Sequence, residues 1–132
     1  MVSKIINLFN KIKKADRKLF AIGDNTYGEI GIEENLNRDK VNEIKFFSNL
    51  NTTKISRIAV GARHSLVLMQ DGSLYSFGDN SDGQCTGFST RYSSPNKIAC
   101  EIKGKIIDVK CGYNHCLIIL GNFFLFFFLF YF

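Results

Sequence analysis

From residue 58 onward the apolar positions come in short runs, 58–60 (IAV), 66–69 (LVLM) and 74–77 (LYSF), each stopped by glycine or by polar residues. Runs of three or four residues are too short for helices and predict strands. Between the second and third lies Gln70-Asp71-Gly72-Ser73, and Asp-Gly between apolar runs predicts a hairpin, because both residues accept positive φ. Neither run alternates cleanly between apolar and polar, the pattern expected when both faces of a sheet are covered. Gly61 closes the 58–60 strand, 78–87 reads as a tight glycine-punctuated loop, and 98–102 and 106–111 predict further strands.

The flanks break this rhythm. Residues 33–51 are rich in Asn and charge and predict a long loop with one strand near 44–47. Ile5, Ile6, Leu8, Phe9 and Ile12, with lysines between them, suggest a short amphipathic helix that caps the first sheet or touches a membrane surface. After Gly121 and Asn122 come ten consecutive apolar residues, 123–132 (FFLFFFLFYF). That is short of the roughly 20 residues a bilayer span needs. Three readings stay open for this tail: translation of an A/T-rich intron or flank, a short membrane tail, or an unusual terminal strand.

The runs belong to words that the chain uses twice. Gly23, Asp24, Asn25, Gly28 and Glu29 return as Gly78, Asp79, Asn80, Gly83 and Gln84, each displaced by 55 positions, and Asp16 falls on Asp71. A second word, from Ile58 through Gly61, His64 and Ser65 to Leu68, returns displaced by 51 as Val109, Gly112, His115, Cys116 and Ile119. A period in the low fifties with about four short strands per unit describes sheets that bury their faces against one another. The expected fold is therefore all-β: an incomplete β-propeller of about two four-stranded antiparallel blades over residues 19–120, between a basic arm at 1–18 and the Phe-rich tail at 121–132.

Charge narrows the partners. The formal net charge of +5 sits in the arm, where Lys4, Lys11, Lys13, Lys14, Arg17 and Lys18 face Asp16 alone; from Leu19 onward basic and acidic residues balance. A duplex-binding surface gathers Lys and Arg on the folded body, so the core is not expected to bind nucleic acid. The first residues are basic and their apolar run is interrupted by lysines, unlike a secretory leader, which predicts an intracellular protein of nucleus or cytoplasm.

Cys85, Cys100, Cys111 and Cys116 follow no CxxC pattern. Cys111, His115 and Cys116 are crowded, but adjacent strand residues point to opposite faces, so His115 and Cys116 would not converge on one metal. Residues 79–83 fail as a calcium loop, because Gln84 stands where the loop requires glycine and Thr90 where it requires glutamate. Gly23, Gly28, Gly78 and Gly83 precede no capped helix and so predict turns, not a phosphate cradle. No nucleophile, base and orienting group assemble along the chain. The expectation is no metal, no cofactor and no enzymatic activity.

The string from Gly61 to Gln84, GARHSLVLMQDGSLYSFGDNSDGQ, resembles the repeat of the regulator of chromosome condensation family. The family's Trp before Gly is Ile22 in one copy and Phe77 in the other, Cys85 stands where Leu is usual, and Cys116 replaces Ser65. The resemblance implies a seven-bladed propeller, of which this chain carries a part, and a repeat framework of Gly23, Asn25, Gly28, Gly61, His64, Asp71, Gly72, Gly78, Asn80, Gly83, Gly112 and His115. It implies a protein-interaction module and, alternatively, guanine-nucleotide exchange on the small GTPase Ran at chromatin. In exchange factors of the family, histidines and acidic residues of one face touch the GTPase, which makes His64, His115, Asp24 and Asp79 candidate partner contacts. His64 and His115 also admit a structural reading, an imidazole bonded to a neighbouring turn. Membrane contact would fall to residues 123–132.

Overall fold

The computed structural model describes residues 18–32, 39–50, 54–99 and 102–121, together with the backbone of 4–6 and 127–128. Three antiparallel sheets follow one another along the chain. The central one has four strands in sequence order, β4 (Ile55–Val60), β5 (His64–Met69), β6 (Leu74–Asp79) and β7 (Arg91–Lys97). Before it stands a sheet of β1 (Lys4–Ile6), β2 (Phe20–Ile22) and β3 (Asn42–Glu43). After it come β8 (Ile106–Cys111), β9 (Cys116–Leu120) and β10 (Phe127–Phe128), with β9 in the middle.

The sequence repeat is a repeat of hydrogen bonds. Ile58 pairs with Val67 and Val60 with Ser65; 51 residues on, Val109 pairs with Ile118 and Cys111 with Cys116. Even the β-bulge recurs, between Ile55 and Arg57 in β4 and between Ile106 and Asp108 in β8. In the other direction, Ile44 N donates to Leu19 O as Ile98 N donates to Leu74 O, both at 2.8 Å. Pairing register puts β1 in the place of β5, β3 in that of β7, and β10 in that of β6.

Strand β5 explains the missing alternation. Val67 and Met69 join Leu19, Ala21, Ile30, Ile44, Phe47, Tyr75 and Phe77 in one apolar cluster, between the first and second sheets. Leu66 and Leu68, on the opposite face, join Ala59, Leu74, Val109, Cys116 and Ile118 in another, between the second and third. Successive side chains of a strand point to opposite faces, and here each face is a separate inter-sheet seam, so all six residues of β5 are buried. This is a section of a β-propeller, with one complete four-stranded blade between two three-stranded sheets.

Three local expectations are corrected. Residues 4–6 form a strand, not part of a helix, because β2 offers an edge that a strand completes; Lys4 pairs with Ile22. The rest of the expected helix and most of the basic arm lie outside the described residues. The strand placed near 44–47 is instead β3 at Asn42–Glu43 followed by a one-turn helix, α1 (Lys45–Ser48), in which Phe47 turns into the first seam. Where a strand was expected over 98–102, Ile98 and Ala99 instead follow the end of β7 (Arg91–Lys97), the fourth strand of the central sheet. As an outer strand it tolerates Pro95, which lacks an N–H and sits where the register with β6 shifts. The tail contributes β10 through Phe127 and Phe128, paired with Ile118 and Leu117. No helix among the described residues is long and apolar enough to cross a membrane.

Candidate functional site

The two Gly-Asp-Asn words become the same knot of hydrogen bonds. Asp79 Oδ1 accepts from Ser81 N (3.0 Å) and Ser81 Oγ (2.8 Å), as Asp24 Oδ1 accepts from Thr26 N (3.0 Å) and Thr26 Oγ1 (2.6 Å). Asn80 Oδ1 accepts from Cys85 N (2.6 Å) and its Nδ2 donates to Ser89 O (2.6 Å); Asn25 Oδ1 accepts from Ile30 N (3.2 Å) and its Nδ2 donates to Ile32 O (3.0 Å). Gly83 N donates to Asn80 O and Gly28 N to Asn25 O, both at 3.1 Å. Short polar side chains that bond the backbone ahead of them in the chain stabilise such turns without a helix or strand. Gly23 opens the first knot with φ +129°. At the opposite end of the blade, Asp71 Oδ1 accepts from Ser73 N (2.8 Å) to close the predicted hairpin through Gly72.

These knots share one end of the molecule with the β4–β5 and β8–β9 turns. Asp79 N donates to Arg63 O, the Arg63 guanidinium lies 4.4 Å above the Tyr27 ring, and Arg91 reaches Thr26 O at 3.1 Å. Asn114 Nδ2 donates to Asp82 Oδ2 at 2.6 Å, tying the third sheet's turn to the second's knot. On this turn face Phe88 is fully exposed and Tyr113 is 69% exposed, and His115 is exposed beside Tyr113.

Beneath the face lies the seam between the second and third sheets. His64, Cys111 and Cys116 offer ligand atoms that all lie within 4.8 Å of one another. His64 Nε2 stands 3.2 Å from Cys116 Sγ, and Cys111 Sγ 3.5 Å from the same sulfur. Gly61 makes room for the imidazole, since a Cβ there would collide with the ring and stand 2.7 Å from Gly112 O. Gly112 cradles His115 in the same way. The hydrogen bond between the two thiols holds Cys111 below the usual thiol range, with His64 nearby adding to the effect, and pushes Cys116 up, as burial also does. Burial pushes the Cys85 thiol up to about 12.

Four residues were expected as partner contacts, and two of them are corrected. His64 is wholly buried in the seam and Asp79 is buried in its knot, so neither side chain reaches the surface. Asp24 is half-buried and bonded to Thr26, and His115 is exposed. The opposed pointing of His115 and Cys116 stands, with one exposed and the other buried. Sequence reasoning considered the wrong imidazole: His64, from 52 residues earlier, meets Cys116. The signal that could have found it is the repeat, since Cys116 holds the place of Ser65 and both reach back to the preceding knot. Ser65 Oγ donates to Glu29 O at 2.8 Å and Cys116 Sγ to Gln84 O at 3.5 Å.

Models of the regulator of chromosome condensation (RCC1) repeat match residues 55–84 and 71–119. The ultraviolet-B receptor UVR8 of Arabidopsis thaliana is 32% identical over 103 residues, 75% of this chain and 22% of the receptor. The X-linked retinitis pigmentosa GTPase regulator of Mus musculus is 38% identical over 66 residues, 50% of this chain and 6% of the regulator. Prp20p of Saccharomyces cerevisiae, studied for its binding to Gsp1p and histones, superimposes with a TM-score of 0.66 at 25% identity over 80% of this chain and 27% of its own. The chain thus spans about a fifth or less of these two curated relatives. Repeated knots, seams and bulges, together with these matches, establish that the chain belongs to the regulator of chromosome condensation repeat family.

Proposed function

We propose that the chain is a non-catalytic protein-interaction module, a section of a larger propeller whose turn face docks a protein partner in the nucleus or cytoplasm. The exposed aromatics on that face carry this reading. Phe88, beyond the second knot, and Tyr113, in the β8–β9 turn, are exposed on the same face as the exposed Arg63 and His115, and aromatic and arginine side chains are those most enriched at the anchors of protein interfaces. Catalysis is not part of the reading: the His64–Cys116 pair is buried inside a seam rather than set in the exposed turn face. The partner we favour is a small GTPase, supported by the GTPase regulator among the relatives and by Prp20p with Gsp1p.

Guanine-nucleotide exchange is the second reading, on those same two likenesses. Release of labelled GDP from a Ran-type GTPase, with and without the chain, separates them. The module reading expects binding without faster release, and binding that falls about tenfold or more when Phe88 and Tyr113 are both replaced by Ser. Acceleration of release severalfold would overturn it in favour of exchange.

A further inference from the structure

We propose that His64, Cys111 and Cys116 form a zinc site that staples the second blade to the third. Zinc bonds thiolate sulfur at about 2.3 Å and imidazole nitrogen at about 2.0–2.1 Å. Tetrahedral angles then place two sulfurs about 3.8 Å apart and a sulfur and a nitrogen about 3.6 Å apart. The observed separations of 3.5 Å between the sulfurs and 3.2 Å from Cys116 Sγ to His64 Nε2 are each a few tenths of an ångström short of these values, and the third pair, Cys111 and His64, lies within 4.8 Å. Binding displaces one proton from each thiol, and two thiolates with one dication make a neutral group, which a buried seam accommodates far better than a lone charge. The fourth position is left to solvent or to Gln84 O, which lies 3.5 Å from Cys116 Sγ.

A disulfide is the competing use of these sulfurs. Cys111 and Cys116 face each other across the β8–β9 ladder, next to a pair joined by the Gly112 N to His115 O bond, where Cα atoms approach to about 4.5 Å. A disulfide would use the two sulfurs alone, whereas one zinc ion engages all three donors. Relative to the first copy of the word, Cys111 stands in the place of Val60 and Cys116 in that of Ser65, so both sulfur ligands are particular to this seam.

Cobalt(II) titration of the reduced 132-residue chain, with competition by zinc, tests the site. The expected result is one equivalent bound per folded chain, with the thiolate-to-cobalt charge-transfer band and tetrahedral d–d bands, both abolished by zinc. Cys116→Ser restores the side chain that the family pattern carries in the first copy, so it should keep its far-ultraviolet dichroism while losing at least about a hundredfold in cobalt affinity. Cys85→Ser should bind as the unchanged chain does. If Cys116→Ser loses its dichroism, Cys111→Ala read by the same titration takes its place. Equal affinity in the folded ligand variant and the unchanged chain, a tetrahedral signature in a chain without dichroism, or an intact mass showing a Cys111–Cys116 disulfide in protein prepared with zinc, would each overturn the proposal.

Discussion

At Gly78 the backbone turns to φ +111°, and a Cβ there would run into Arg63 O and stand 2.7 Å from His64 Cα. At Gly72 φ is +88°, yet nothing lies within 4 Å of the place a Cβ would take. The two glycines therefore separate two costs that usually come together. Gly72→Ala should cost only the left-handed backbone penalty, about 1–2 kcal/mol. Gly78→Ala adds overpacking against backbone that cannot rotate away, for a total of about 3 kcal/mol or more. Urea midpoints of the two variants, at unchanged m-value, measure the difference, and a Gly72→Ala change as damaging as Gly78→Ala would contradict the account.

At the scale of the element, the 80–87 knot hangs on one side chain. Asn80 bonds both a buried amide, Cys85 N, and a carbonyl beyond the loop, Ser89 O. Asn80→Ala should cost about 1–3 kcal/mol, because Cys85 N is left buried without an acceptor. Hydrogen exchange at the Cys85 amide should accelerate, while the Val67 amide in β5 changes only with global stability. Asn80→Asp, which keeps the acceptor, should retain most of the Cys85 protection. Such knots were legible in the sequence, since Gly, Asp and Asn recur at fixed offsets and turn chemistry is local. Strands β5, β6 and β8 were legible too, as short apolar runs. Strand β7 was not, because Arg91–Lys97 is an outer strand with one buried residue and no apolar run to mark it. Nor was β1 found: register sets Lys4 opposite Ile22 as Ser65 stands opposite Phe77, so its hairpin is six residues longer and the 55-residue displacement pointed elsewhere. The meeting of His64 with Cys116 was hidden for a different reason: it arises between sheets, across 52 residues, where no local pattern reports it.

In the molecule as a whole, stability resides in the two seams, and β5 belongs to both. Leu66 and Val67 are both fully buried, adjacent in sequence and committed to different seams. Leu66→Ala should cost about 2–5 kcal/mol and loosen the third sheet first, and a Val67 truncation should loosen the first sheet instead. Amide exchange at Val109 and Ile118 should respond to the former, and at Ala21 and Ile44 to the latter. Uniform acceleration across all three sheets in either variant would mean that the seams melt as one unit. The exposed ion pair across the second seam, Arg57 to Asp108 at 3.8 Å, adds little by comparison.

The matching bulges in β4 and β8 carry a consequence for building with this chain. Because the later copy of the word reproduces the kink, the register and the reach back to the preceding turn, a joint made once can be made again without inventing new chemistry. A gene encoding the central unit in tandem would lay down successive wedges at a constant angle, and the number of copies, not the sequence of any one, would decide whether the circle meets itself.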